Sequence, residues 1–251
     1  MNTSLIVEQF NNYVKDYDAT NPKIALKIAH TYRVATICKR IGENLNLSED
    51  DLDTAWVIGM LHDIGRFEQV RRYNTFEDAK SVNHADFGVS LLFDENLIEK
   101  FQIDESIYDV INIAIANHNK YRITEGLSER ELTFCKIIRD ADKIDILRVN
   151  YETPMEEIYN TTIDVLKNDR ISDGVYNAFF EESAINHKLK KTCIDRLIGH
   201  ISLVFELEYP ISYEILKEYG YLDKLMSFQS LNDETNERLE VIREYMHNKL
   251  K

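Results

Sequence analysis

The chain of 251 residues is poor in the residue types that build turns, with only 8 Gly and 3 Pro. Strand-rich folds use both types heavily in their connections, so this scarcity favours long helices. Its three cysteines, Cys38, Cys135 and Cys193, are odd in number and far apart. That pattern argues against a disulfide framework and for a reducing compartment. No apolar run approaches the roughly 20 residues that a membrane span needs.

The beginning of the chain also lacks the features of a secretory signal. No basic segment precedes an apolar one, and Glu8 and Asp16 lie within the first 17 residues. We therefore expect a cytoplasmic protein that does not associate with membranes. The net charge of −14 disfavours a broad contact with DNA or RNA, but a small anionic substrate held by a metal ion and local cations remains compatible with it. Nothing in the sequence indicates the oligomeric state.

Apolar residues recur at helical spacing along most of the chain, and capping residues mark several helix starts. Asn21-Pro22 is typical of a helix N-terminus, and Ser48 and Ser128 each open a capping box. The predicted helices cover residues 5–17, 22–44, 48–63, 83–93, 106–118 and 128–147, followed by helices from 153, from about 194 to Pro210, and over about 239–250. No strand-like alternation stands out, so we predict an all-α fold.

Between two predicted helices, residues 66–83 lose the apolar periodicity and become rich in charged and polar residues. We predict a long loop or broken helix there, containing Arg66, Arg71 and Arg72. Loops of this length in compact domains are usually functional or mobile, although a solvated connection would show the same composition.

Histidines and carboxylates that could bind metal are spread over the predicted helices. His62 and Asp63 end an apolar segment next to Gly65, and His30 lies on an apolar stripe. Carboxylates inside an apolar helix rarely lack a partner or an ion, so at least one of those that follow should be a ligand. The further candidates, in chain order, are His84, His118, Asp140, Asp142 and Asp145. Imidazoles combined with carboxylates favour a transition metal over Mg²⁺ or Ca²⁺.

The order His, His-Asp, two His, Asp resembles the HD-domain superfamily of metal-dependent phosphohydrolases, over about residues 24–150. The resemblance implies a helical bundle of HD-domain type, with residues 151–251 as additional C-terminal helices of a single domain, 1–251. It implies one metal held by His30, His62, Asp63 and a distal aspartate. Asp142, between a small residue and Lys143-Ile144, fits the family pattern better than Asp140, which we keep in reserve.

Relatives with two further histidines often hold a second ion, which would make Asp63 the bridge and His84 and His118 its ligands. The resemblance therefore implies one or two divalent ions, of Mn, Fe, Zn, Ni or Co. The expected reaction is hydrolysis of a phosphate ester or diphosphate of a small metabolite or nucleotide by metal-activated water. Asp63, Lys143 and Arg66 are the predicted catalytic residues, and Lys120 and Arg122 are weaker candidates because surface cations are common.

Two other functions fit the same residues. Di-iron oxygenases of the HD fold resemble this arrangement of four histidines and two aspartates, and the sequence does not distinguish iron from manganese or zinc. A regulatory module that only senses a nucleotide is the third possibility, although a degenerate site would be expected to lose ligands. His187, His200 and His247 have no acidic residues at ligand spacing, and we expect them to be structural or at the surface.

Overall fold

The computed structural model describes residues 1–250, which contain helices and turns but no β-strand. The predicted all-α fold is therefore confirmed. The chain divides into two compact units, Met1–Asp142 and a second unit from Lys143 onward, with the boundary inside one helix. The prediction of a single domain with a core over about 24–150 stays a prediction. None of the helices in residues 1–250 is long and apolar enough to cross a membrane.

The first unit contains six complete α-helices and the start of a seventh. These are α1 (Thr3–Val14), α2 (Pro22–Asn44), α3 (Glu49–Leu61), α4 (Ile64–Tyr73), α5 (His84–Val89), α6 (Tyr108–Asn117) and α7 (Glu129–Glu152). The predicted N-caps are present, because the side chains of Asn21, Ser48 and Asn83 accept backbone N–H bonds. Ser128 and Glu131 form the predicted capping box, in which each side chain accepts the other's backbone N–H.

The second unit continues α7 and adds short helices. They are α8 (Met155–Tyr159), α9 (Ile163–Asn168), α10 (Asp173–Phe179), α11 (Cys193–Ile201), α12 (Pro210–Tyr219), α13 (Tyr221–Met226) and α14 (Asp233–Lys249). The prediction of one helix from about 194 to Pro210 is wrong. The α-helix ends at Ile201, where a 3₁₀ turn over Ser202–Glu206 buries Val204. Apolar residues in a tighter turn resemble a helical stripe in sequence.

The core of the first unit forms where α2 packs against α3. Val34, Cys38 and Ile41 lie one helical turn apart on α2 and are fully buried, as are Ala55 and Ile58 on α3. Removing each larger apolar side chain from water stabilises the fold by roughly 1.5–3 kcal/mol. His30 lies one turn before Val34 on the same face of α2, so the packing that builds the core also buries this histidine.

The segment 66–83, predicted to be a long loop or broken helix, is helical in its first half, because α4 extends to Tyr73. Phe67 is buried against α1, where its ring makes an edge-to-face contact with Phe10 at 5.9 Å. Glu68 is also buried, because it pairs with two arginines that follow it by three and four residues. The density of charged residues in this stretch is typical of a loop. Here Glu68, Arg71 and Arg72 instead stabilise the helix as i,i+3 and i,i+4 pairs.

The backbones of α4 and α5 meet at Gly65. A Cβ at this position would lie 2.4 Å from the carbonyl oxygen of His84 and 2.7 Å from the amide nitrogen of Gly88. Both atoms belong to the backbone and cannot move aside, so only glycine allows this approach. The contact brings His84, the first residue of α5, next to the His62-Asp63 pair that precedes α4.

Candidate metal centre

Three of the predicted ligands lie together where α3 ends and α4 begins. The ligand atoms of His30, His62 and Asp63 all lie within 4.8 Å of one another, and all three residues are buried. The Nε2 atoms of His30 and His62 each lie 3.5 Å from Oδ2 of Asp63. The spacing of these atoms suits coordination of one ion.

A second group uses the other oxygen of the same aspartate. The ligand atoms of Asp63, His84 and His118 also lie within 4.8 Å of one another. Oδ1 of Asp63 lies 3.5 Å from Nε2 of His84 and 3.9 Å from Nε2 of His118. The two oxygens of Asp63 thus face two different histidine pairs, which is the arrangement of a carboxylate that bridges two ions.

Asp142, the predicted distal aspartate, lies beside the first group. Its Oδ1 lies 3.1 Å from Nε2 of His30 and 3.7 Å from Nε2 of His62. Asp140, the reserve candidate, is fully buried in α7. The structure therefore brings together all six residues proposed as ligands, from α2, the α3–α4 junction, α5, the end of α6 and α7.

The histidine rings are oriented as metal ligands usually are, with one nitrogen fixed by the protein. Nδ1 of His62 and of His118 donates to the carbonyl oxygens of Gly59 and Ile115, at 2.8 and 2.7 Å. Each ring then presents an unprotonated Nε2 to the centre. Nε2 of His62 is buried and has no hydrogen-bond partner among residues 1–250, which is an unfavourable state for a polar atom unless a ligand completes it.

Nδ1 of His84 donates to Oδ2 of Asp78 at 2.6 Å, so its Nε2 also faces the centre. This Nε2 lies 2.9 Å from Nε2 of His118. When Nδ1 of each ring carries the proton, the lone pairs on the two Nε2 atoms face each other. A cation near them removes the repulsion between these lone pairs. The donor set and its orientation fit a divalent transition metal.

The protonation states of these groups also suit an ion. Burial, together with the neighbouring His84 and His62, lowers the pKa of His118 to about 3. Burial likewise lowers the pKa of His84, with Arg66 contributing. Both imidazoles are therefore neutral near pH 7, the form that binds metal. For Asp142, burial would raise the pKa, but contacts with His30 and His62 outweigh it and hold the pKa below its usual value.

Lys27 contacts the carboxylate of Asp63, and sequence reasoning missed it. Burial alone would raise the pKa of Asp63, but Lys27 first and then the histidines hold it well below the usual value. Nζ of Lys27 lies 2.5 Å from Oδ2 of Asp63. Lys27 precedes His30 by three residues on α2, so helical spacing was a usable signal that both face the same centre.

Asp78, in the 3₁₀ turn Asp78–Lys80, is the second residue that sequence reasoning missed. Its Oδ2 accepts the bond from His84, while its Oδ1 accepts bonds from Nη1 of Arg66 at 2.8 Å and Nε2 of Gln69 at 2.9 Å. The carboxylate thus connects a ligand histidine to α4. No sequence signal marked it, because its role depends on the fold of the segment that contains it.

Arg66, a predicted catalytic residue, lies beside the centre and also holds the following segment. Its Nε lies 3.6 Å from Oδ1 of Asp63 and has no hydrogen-bond acceptor among residues 1–250. Its Nη1 donates to the carbonyl oxygen of Phe76 at 2.7 Å. The ring of Phe76 lies under both Arg66 and Lys27, with centroid distances of 5.6 and 5.7 Å. Two cations and one aromatic ring therefore line the approach to Asp63.

The remaining candidate cations take different positions. Lys143 follows Asp142 in α7, is buried and begins the second unit. Nζ of Lys120 lies 3.3 Å from the hydroxyl of Thr124, and the guanidinium of Arg122 lies over the ring of Tyr121. The catalytic roles of Lys143 and Arg66 stay predictions. Arg139, which was not singled out, is buried and donates to the carbonyl oxygen of His118 at 3.5 Å, where α6 ends.

The family model for the HD domain matches residues 28–147. This stretch holds every proposed metal ligand, and it belongs to the HD-domain superfamily, whose members are mostly metal-dependent hydrolases. No curated protein and no solved structure matches the chain.

Proposed function

We propose that this protein is a divalent-metal-dependent phosphohydrolase that cleaves a phosphate ester or diphosphate of a small metabolite or nucleotide. The observation that carries the proposal is the pair of histidine groups facing the two oxygens of Asp63. A divalent ion held there supplies polarisation of a phosphoryl oxygen and activation of a water molecule. The membership of the HD-domain superfamily supports the same class of reaction.

The chain's own residues supply the rest of the expected chemistry. The four imidazoles, Asp63 and Asp142 fix the position of the charged centre, and the burial of the histidines and Asp63 keeps bulk water from screening it. Lys27 and Arg66 lie against Asp63 from the side lined by Phe76. Cations at this distance neutralise charge that develops on the phosphoryl oxygens, and they favour an anionic substrate despite the net charge of −14.

The test is a phosphate-release assay with a panel of phosphorylated metabolites and nucleotides. The protein is stripped with EDTA and reloaded separately with Mn²⁺, Fe²⁺, Co²⁺, Ni²⁺, Zn²⁺ or Mg²⁺. We expect activity with at least one transition metal and the largest single loss in Asp63→Ala, which removes a ligand from both groups. Bound metal is measured by elemental analysis in the same samples.

The matched control is His247→Ala, which removes a histidine that is 59% exposed and pairs with Asp223 in the second unit. It should keep the metal content and activity of the parent. Full metal content in Asp63→Ala would overturn the assignment of the centre. Substrate-dependent oxygen consumption by the Fe²⁺ form would favour the oxygenase alternative, and tight nucleotide binding without turnover by any metal form would favour a regulatory module.

A further inference from the structure

The second unit contains a group of cations that the proposed reaction does not use. Helix α11 (Cys193–Ile201) is strongly amphipathic, with Ile194, Leu197, Ile198 and Ile201 buried on one side. Arg196 and His200 are separated by four residues and therefore share another side of the helix. Gly199 follows Arg196 by three residues, so it is adjacent to Arg196 on the helix surface and has no side chain to cover the backbone there.

The side chain of Lys190 occupies the space that Gly199 leaves. A Cβ at position 199 would lie 2.3 Å from both Cε and Nζ of Lys190. The ammonium group therefore rests on the backbone of α11 at Gly199, one helical turn from Arg196. Its pKa is lowered by burial first and by the charge of Arg196 second, in keeping with the three-residue spacing of Arg196 and Gly199 on the helix.

No carboxylate within residues 1–250 forms an ion pair with Lys190 or Arg196. Asp195 is the acidic group that favours the charged form of Lys190, but it is fully buried and bonded to the backbone. Its Oδ1 accepts the N–H of Ser172 at 2.9 Å, and its Oδ2 accepts those of Lys191 at 2.8 Å and Thr192 at 3.0 Å. Within residues 1–250, the ammonium of Lys190 has no hydrogen bond or ion pair.

Neutral polar groups complete the surroundings. The hydroxyl of Tyr159 lies 3.3 Å from Nδ1 of His200, and the two rings stack with centroids 5.7 Å apart. Nη1 of Arg196 donates to the carbonyl oxygen of Tyr159 at 2.8 Å, which fixes one arm of the guanidinium. Burial lowers the pKa of His200 to about 3, with Lys190 and Arg196 adding to the effect. The imidazole is therefore neutral and can donate or accept one hydrogen bond.

We infer that Lys190, Arg196, His200 and Tyr159, here called the α11 cluster, form a binding site for a phosphate-type oxyanion. A half-buried ammonium group without a counter-ion is costly to keep, and a bound anion offsets that cost. A guanidinium fork and an ammonium are the groups that proteins use most for phosphate. The anion is either inorganic phosphate or the phosphoryl group of a small ligand. None of the four residues belongs to the metal centre, so the inference does not depend on the proposed reaction.

The first experiment measures binding of inorganic phosphate to the EDTA-treated full-length protein by calorimetry, at constant ionic strength with chloride as the reference anion. We expect saturable binding to the parent and an affinity about tenfold lower in Arg196→Gln, the loss of one charge-assisted contact. The matched control is Lys191→Gln, which removes the same charge from the exposed neighbour of Lys190. It should change the affinity by no more than about twofold, because salt screens a solvated charge at that distance.

Gly199→Ala is the sharper variant, because it keeps every charge and changes only the space that Lys190 occupies. Alanine favours an α-helix over glycine by about 1 kcal/mol, and the atoms in the way belong to the end of a flexible side chain. We expect an unchanged or higher melting temperature together with an affinity for phosphate about tenfold lower. If the variant does not fold, Lys190→Gln replaces it and should show the same loss.

Two results would overturn the inference. The first is an affinity for phosphate that falls neither in Arg196→Gln nor in the variant at Lys190 or Gly199. The second is a fall in affinity in Lys191→Gln as large as that in Arg196→Gln. The source of the anion follows from kinetics of the metal-loaded protein. A raised KM at unchanged kcat in Gly199→Ala identifies a phosphate of the substrate, whereas unchanged kinetics with lost phosphate binding identifies a separate ligand. Because the binding measurement uses metal-free protein, it can succeed even where no hydrolysis is found.

Discussion

At the scale of single residues, Asp63 has the largest number of roles in the centre. One carboxylate faces four imidazoles, contacts Lys27 and lies beside Arg66. Burying a charged carboxylate is costly unless cations or hydrogen-bond donors compensate it. The groups around Asp63 hold its pKa low enough that it stays ionised. A buried carboxylate kept in its charged form next to neutral histidines is a strong ligand for a divalent ion.

Asp78 gives a prediction at the same scale. The carboxylate holds Nδ1 of His84 at 2.6 Å and so fixes both the ring orientation and the proton position. Asp78→Asn keeps the shape but weakens the acceptor, so we expect metal affinity to fall by about 10–100-fold, the usual effect of changing a residue that orients a metal ligand. Competition with a chromogenic chelator measures the affinity directly.

The control for Asp78→Asn is Glu77→Gln, a charge change of the same size on the preceding residue. The carboxylate of Glu77 pairs only with the exposed Lys80 in the described contacts. The metal affinity of the Glu77→Gln protein should match that of the parent. An Asp78→Asn protein with parental affinity at the His84 site would show that Asp78 does not orient the ligand.

The residues that meet at the candidate centre could be predicted from sequence because their type and order are unusual in combination. His30, His62-Asp63, His84 and His118 all stand out in the amino-acid sequence alone, and the neighbours of Asp142 favour it over Asp140. Lys27 and Asp78 could not be found in the same way. A lysine and an aspartate are common at exposed positions, and only the folded chain shows which of them touches a ligand.

At the scale of elements, the segment from Asn74 to Asn83 closes over the centre through its contacts with α4. Asn74 adopts the left-handed conformation, with φ of 51°, and ends the helix. Arg66 and Gln69 on α4 then bind Phe76, Asp78, Ser81 and Val82 in the segment. These bonds hold the segment in one conformation. Arg66 therefore acts on the centre both directly and through Asp78.

Arg66→Ala tests this double role. Loss of the guanidinium removes a cation next to Asp63 and three hydrogen bonds to its neighbours, at Gln69, Phe76 and Asp78. We expect kcat/KM on the best substrate to fall by about tenfold, near the ~1.4 kcal/mol of one charge-assisted contact. Limited proteolysis between residues 74 and 83 should become faster.

The comparison variant is Arg71→Ala on the same helix, whose guanidinium is 55% exposed and pairs with Glu68. It should leave the kinetics close to those of the parent. Equal kinetics for Arg66→Ala and the parent would remove Arg66 from the site, and slower turnover without faster proteolysis would leave only its direct role.

Helix α4 shows why the elements were less predictable than the ligands. Buried charged residues break the apolar pattern on which sequence-based assignment depends. Glu68 is 3% exposed because two arginines and Tyr17 satisfy its carboxylate. The two ion pairs form within α4, whereas the hydrogen bond from Tyr17 forms only in the folded chain. Helices with simple apolar stripes and caps, such as α2 and α3, could be predicted almost to the residue.

At the scale of the whole molecule, removal of metal should lower stability. An ion that binds the folded chain and not the unfolded chain stabilises it by about 2.7 kcal/mol at a concentration 100 times its dissociation constant. We expect EDTA to lower the melting temperature measured by calorimetry, and added Mn²⁺ or Zn²⁺ to restore it. The rise in melting temperature on adding metal should be smaller in His118→Ala than in the parent. It should be smaller still in Asp63→Asn.

In these experiments the metal-free melting temperature of each variant is the reference. His84 and His118 begin and follow helices, so their loss should impair metal binding more than folding. A large fall in the melting temperature of metal-free His84→Ala or His118→Ala would indicate a structural role instead. A parent protein whose stability does not respond to any divalent ion would argue against a resident metal.

The six ligands come from five separate helices or helix ends, between residues 30 and 142. Helices in a folded protein open and close one at a time, at rates that differ from helix to helix. The ligands form two groups that share Asp63, and an ion in either group exchanges when the helices that carry that group's ligands move apart. The exchange rate of a radioactive metal isotope would therefore report the rate of the most frequent local opening in the first unit. The measurement needs no label on the protein.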